Sequence, residues 1–131
     1  MKVEPTAADL LDIARATIIA EIAPALPEPQ RYAALMAANA LAIAGRELAA
    51  PDTAAAEIRR IAALLADWTP PGDDRTALGD GTARLAAQIR EGRYDEGEAR
   101  LLLLEHLRES TRARLAVSNP KAAAREQGKT P

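Results

Sequence analysis

The sequence has no cysteine and no phenylalanine, and only one histidine, one tryptophan and two tyrosines in 131 residues. Without cysteine there is no disulfide, no thiolate metal site and no cysteine nucleophile. A single histidine, His106, cannot supply the paired-histidine spacing of a zinc enzyme, so no metal and no cofactor is expected. Aromatics at 2% of the chain leave little on which to stack bases. A net charge of −2 gives no general attraction for nucleic acid. The opening residues carry acids and a proline where a secretory leader would have basic residues and an apolar run, so a cytoplasmic location is expected. The 14 uncharged residues between Arg31 and Arg46 would span about 21 Å as a helix, short of a bilayer core. No nucleic-acid or membrane partner is expected.

What is present is an alphabet for helices. There are 32 Ala, 16 Leu and 8 Ile against 2 Val. Ala and Leu lose little side-chain freedom in a helix, and the β-branched and aromatic residues that fill strands are scarce. The expectation is an all-α fold: an antiparallel bundle of four main helices plus a shorter one, over residues 1–118 as a single domain. Residues 119–131 read as a polar tail without structure. Charge divides unevenly, at −2 over residues 1–50, −3 over 51–96 and +3 over 97–131.

The punctuation places five helices. Thr6 and Asp9 form a capping-box start for the first, and Pro24, Pro27 and Pro29 end it. The second covers about residues 28–50 and reads as a central helix buried on most sides. Pro51, Asp52 and Thr53 open a third over 53–67, with Ile58, Ile61, Leu65 and Trp68 inward and Glu57, Arg59 and Arg60 outward. Trp68 is expected to be largely buried and to anchor a loop over 69–75. The fourth begins at Leu78 or Thr82, capped by Asp80 or Thr82, and ends before Gly92 as its C′ residue. The fifth runs from about Asp95 to Ser118, where Asn119 and Pro120 stop it.

The stretches Ala37–Leu48 and Leu115–Pro120, with the opening Pro5–Leu11, resemble a family of short bacterial proteins of unknown function. Members of that family are commonly encoded beside an acyl-CoA dehydrogenase and an aminoglycoside-phosphotransferase-like kinase. The resemblance implies a metabolic setting and a neighbouring protein to serve. It brings no catalytic residues.

Candidate chemistry is sparse. His106 has Leu102 and Ser110 four residues to either side, neither of which would orient or charge it, so it reads as a surface or boundary residue. Ser110 and Ser118 lack a nucleophile elbow. Asp73, Asp74 and Asp80 lack the register of a calcium loop. No catalytic residue is assigned. The set of most interest is Tyr32, Met36, Asn39, Arg46 and Glu47 on the second helix. A buried Asn39 amide would need partners. It would fix register against a neighbouring helix or a dimer mate, or grip a polar or anionic ligand together with Arg46. The function read from this is a non-enzymatic accessory or interaction protein, a homodimer or the partner of a protein encoded nearby. The alternative is a module that binds an acyl or phosphate-bearing ligand between helices. A pocket reaching Asn39 or Arg46 would favour the second.

Overall fold

The computed structural model describes residues 3–50 and 52–128. It is all-helical, with six α-helices and no strand among the described residues. The chain divides into two compact units, Met1–Pro51 and Asp52–Pro131.

The first unit is a helical hairpin. Helix α1 (Ala7–Thr17) starts as the sequence requires: the Thr6 side chain accepts from the Asp9 N–H, and the Asp9 carboxylate accepts from the Thr6 N–H at 2.8 Å. Those Thr6 hydrogen bonds hold the Asp9 carboxyl below its ordinary pKa. The helix then widens into a π turn at Ile18–Ile22 and tightens into a 3-10 turn at Ala23–Ala25. Pro24 sits in this last turn. It has no N–H to donate and its ring crowds the preceding carbonyl, so regular α-helix cannot continue. Helix α2 (Gln30–Ala49) returns along α1. The two approach closely at small residues: Ala38 is buried, and Gly45 faces Leu11.

Helix α2 is not buried on most sides, contrary to its uncharged sequence. Ala38 is its one buried residue. Within its unit it packs against α1 and the π and 3-10 turns that follow it; residues 41–46 are half-buried and most of the rest of the helix is exposed. The expected break at Pro51 lies outside the described residues.

In the second unit, helix α3 (Ala54–Leu64) packs against both α4 (Asp74–Arg90) and α5 (Gly97–Ser118). The core joins Ile61, Leu65, Leu85, Tyr94 and Leu103, with Leu64, Trp68, Leu78 and Ala99 packed onto it. The Tyr94 hydroxyl lies 2.8 Å from Gln88 Oε1 and 3.1 Å from the Leu64 carbonyl, tying the turn after α4 to the end of α3.

Helix α4 begins earlier than expected. Asp73 is its N-cap, with one carboxylate oxygen accepting from the Thr76 N–H at 3.1 Å and the other from the Thr76 hydroxyl at 3.0 Å. Asp80, Gly79 and Gly81 therefore lie inside the helix, not in a loop before it. Trp68 is half-buried, not largely buried as expected. Its ring lies over Gly81, and its Nε1 donates to Asp80 Oδ2 at 2.7 Å. Gly92, with φ of +79°, follows the end of α4 as expected. The tail reading is corrected as well. Residues Pro120–Gln127 form helix α6, capped by the Asn119 side chain and packed on α5. Asn119 ends one helix and caps the next, with Pro120 at the first position, where its missing N–H costs nothing.

Candidate functional site

Helix α2 carries the residues singled out from the sequence. Tyr32 and Met36 are 64% and 49% exposed, and Asn39 and Glu47 are also exposed. Tyr32, Met36 and Asn39 follow one another at four and three residues, so they share one helix face. That face points away from the stripe marked by Ala38 and Gly45. Asn39 is thus not a buried amide in need of partners. The position of contact falls one residue earlier, at Ala38, and the Asn39 side chain meets water.

Arg46 is half-buried. It borders a shallow depression of about 330 Å³ between α1 and α2, with Ala8, Asp12, Arg15, Ala42, Gly45 and Ala49. The depression includes neither Asn39 nor Tyr32, Met36 or Glu47. The structure therefore gathers three of the five residues on an open apolar face and sends Arg46 into a groove lined mostly by small residues.

A second constellation lies in the other unit and was not legible as a site from the sequence. His106 is 5% exposed and Ser110 7%, so the only histidine is a core residue, not a boundary one. Leu103, His106 and Ser110 recur at three and four residues and are the buried residues of α5. That spacing was the available signal; the pattern of apolar residues alone passes over it. Facing them on α3 are Glu57 and Arg60, which turn inward where solvent was expected. The Ser110 hydroxyl donates to Glu57 Oε1 at 2.7 Å, and an Arg114 N–H reaches the same oxygen at 3.4 Å.

This cluster is not wired for nucleophilic catalysis. A serine relay needs the hydroxyl to donate to the histidine, and here it donates to Glu57. His106 Nδ1 and Arg60 Nε are both buried without a hydrogen-bond partner. Each such group costs about 1–3 kcal/mol in desolvation when nothing satisfies it. Burial pushes the His106 pKa below 6.5, the Arg60 and Arg114 charges add to the shift, and Glu57 opposes it. Arg60 and His106 border a depression of about 210 Å³ between α3 and α5, together with Ala63, Leu64, Leu102 and Glu105, while the two unpartnered atoms themselves are buried. Among the described residues, no group of three or more His, Asp or Glu could hold a metal ion. No single described helix is long and apolar enough to cross a membrane.

The fold and these surfaces define an all-helical protein with two candidate binding faces among the described residues. The chain belongs to the family described as a domain of unknown function (DUF6285), which matches residues 24–122. The match begins at Pro24, after α1, and extends into α6. It includes the stretches 37–48 and 115–120 but not the opening residues 5–11. No curated protein and no solved structure matches the chain.

Proposed function

We propose that this chain is a non-enzymatic accessory protein that works by association, as a twofold homodimer or with a protein encoded beside it. The observation that carries this reading is the apolar surface left open on the first unit. Tyr32, Leu35 and Met36 lie exposed near the start of α2, and Leu10 and Ile13 lie exposed on α1. Exposed apolar patches of sufficient size mark interaction sites. A twofold dimer covers such a face with one patch from each subunit. The reading is of a bacterial cytoplasmic protein. Where the partner is not a second copy, an acyl-CoA dehydrogenase or a phosphotransferase-like kinase encoded nearby is the first to test.

Light scattering on the eluting full chain decides between the states. The expected mass is twice the 13.9 kDa of one chain, or that of a mixed complex when a neighbour is co-expressed. Met36→Asp should lower the mass without loss of helical circular dichroism. A mass of one chain, unchanged on tenfold concentration and unaffected by either neighbour, overturns the proposal. A second reading, a module holding an acyl or phosphate-bearing ligand between helices, has the depression at Arg46 and Arg15 in its favour. Saturable binding abolished by Arg46→Ala, with the mass unchanged, would select it.

A further inference from the structure

We propose that the groove between α5 and α6 docks an acidic amphipathic helix of a partner protein. The groove lies in the second unit, and the proposal stands whether or not the apolar surface of the first unit pairs.

Helix α6 packs on α5, and the two enclose an open depression of about 600 Å³. Its apolar lining is Leu104, Leu107 and Leu115 of α5 with Ala122 of α6. Leu104 and Leu107 are exposed and Leu115 is half-buried. The residues that α5 buries are Leu103, His106 and Ser110. Leu104 and Thr111 each follow one of these by a single position, about 100° round the helix. Helix α5 therefore carries a second face, distinct from its buried one. Leu101, 67% exposed and one turn before Leu104, continues that face beyond the depression. From Leu101 to Leu115 the face runs about 21 Å. An eight-residue α6 is about 12 Å long and cannot cover it.

The charges on the groove name its occupant. Arg108, Arg112 and Arg125 line it against Glu126 alone. Arg112 is held by Glu109 at 2.8 Å. Arg108 and Arg125, one from each wall, have no hydrogen bond or ion pair among the described residues. An apolar strip with unpaired cations on both walls complements a surface that is apolar along its middle and acidic at its flanks. Both walls are helices whose backbone groups bond internally, so there is no sheet edge for an added strand, and an amphipathic helix is the shape that fills such a groove. The length of the face favours an elongated occupant over a compact small molecule. Glu105, Glu109 and Glu126 are exposed along the same stretch. They repel a uniformly anionic lipid surface, whereas a helix can set its acids clear of them.

The probe is a dye-labelled peptide of about 16 residues, roughly 24 Å as a helix, with leucines along one face and glutamates on its flanks. One control has lysine for every glutamate, and a second has the same composition with its leucines off any common face. Anisotropy is read against the full chain. The acidic peptide should bind saturably, about tenfold or more tighter than either control, and more weakly as salt is added. Arg108→Glu with Arg125→Glu should reverse the order of the acidic and lysine peptides. Leu104→Ser should weaken the acidic peptide about tenfold with helical circular dichroism retained, because the residue is exposed. Equal affinity for the three peptides, or binding that survives the charge reversal in full, overturns the proposal. So does Arg108- and Arg125-dependent binding to phosphatidylglycerol vesicles without binding of the acidic peptide, which would make the face a lipid surface. A self-associated chain that falls to the mass of one chain on Leu104→Ser, but not on Met36→Asp, would place a second copy in the groove and overturn it too.

Discussion

Replacing Gly81 by alanine puts the packing of the second unit to a direct test, because two general effects oppose each other there. Gly81 lies inside α4. In a helix interior glycine is about 1 kcal/mol worse than alanine, so Gly→Ala normally stabilises. At this position a Cβ would stand 2.7 Å from one Trp68 ring carbon and 2.9 Å from another, and 2.9 Å from Ile61 Cγ2. Optimal carbon contacts are about 3.5–4.0 Å. Ile61 is fully buried and cannot yield. The indole could swing away only by giving up its 2.7 Å bond to Asp80. Overpacking of this kind costs about 1–3 kcal/mol, which exceeds the propensity gain, so a net loss of about 1–2 kcal/mol is expected.

Gly79 supplies the control. It sits in the same helix two residues earlier, and nothing lies within 4 Å of where its Cβ would be. Gly79→Ala should therefore stabilise by about 0.5–1 kcal/mol. Thermal unfolding followed by circular dichroism would separate the two. At about 4–8 °C per kcal/mol for a domain of this size, Gly79→Ala should raise Tm by several degrees and Gly81→Ala should lower it. The single tryptophan gives a second readout, since a displaced Trp68 should emit further to the red in Gly81→Ala alone. If both substitutions raise Tm equally and leave emission unchanged, Trp68 does not pack on Gly81 and the account of this core is wrong.

Three further outcomes follow from single contacts. Tyr94→Phe removes a buried hydroxyl that reaches Gln88 and the Leu64 carbonyl, and should cost about 1–2 kcal/mol in urea denaturation. An unchanged urea midpoint would show that the hydroxyl ties nothing together. Ser110→Ala leaves Glu57 with the long Arg114 contact as its remaining partner, and should destabilise by about 1 kcal/mol; Ser118→Ala, on the exposed end of α5, is the matched control and should change little. The His106 pKa is depressed in the folded state, so the unfolded chain binds the proton first as pH falls. Stability is then fully present above about pH 6.5 and declines as pH drops through that range toward the folded value. His106→Gln should flatten that part of the pH profile, measured by Tm between pH 5 and 8 (the span over which an unperturbed histidine titrates); a slope that persists in the variant would place its origin elsewhere.

The sequence alone located the first five α-helices, though not α6, and most of where they stop. Thr6 with Asp9, Pro24, Gly92 and Asn119 with Pro120 act through their own backbone neighbours, so a local pattern suffices to read them. It also determined that Ile58, Ile61 and Leu65 form an inward stripe, because periodicity is a local property. Tertiary structure decided what each stripe meets. An uncharged α2 reads as a buried helix, yet within its unit it packs only against α1 and the turns that follow it, and the residues Tyr32, Met36 and Asn39 face outward. Glu57 and Arg60 read as solvent-facing because they are charged. They turn inward because α5 presents His106 and Ser110 to the same interface, a pairing across about fifty residues that no local pattern encodes. The start of α4 was misplaced for a related reason. Glycines at 79 and 81 weigh against helix by propensity, and only the indole of Trp68, arriving from another segment, explains why a residue without a side chain belongs at 81. Propensity and capping are properties of a few consecutive residues, whereas burial is a property of the partner surface, and that surface exists only once the chain has folded.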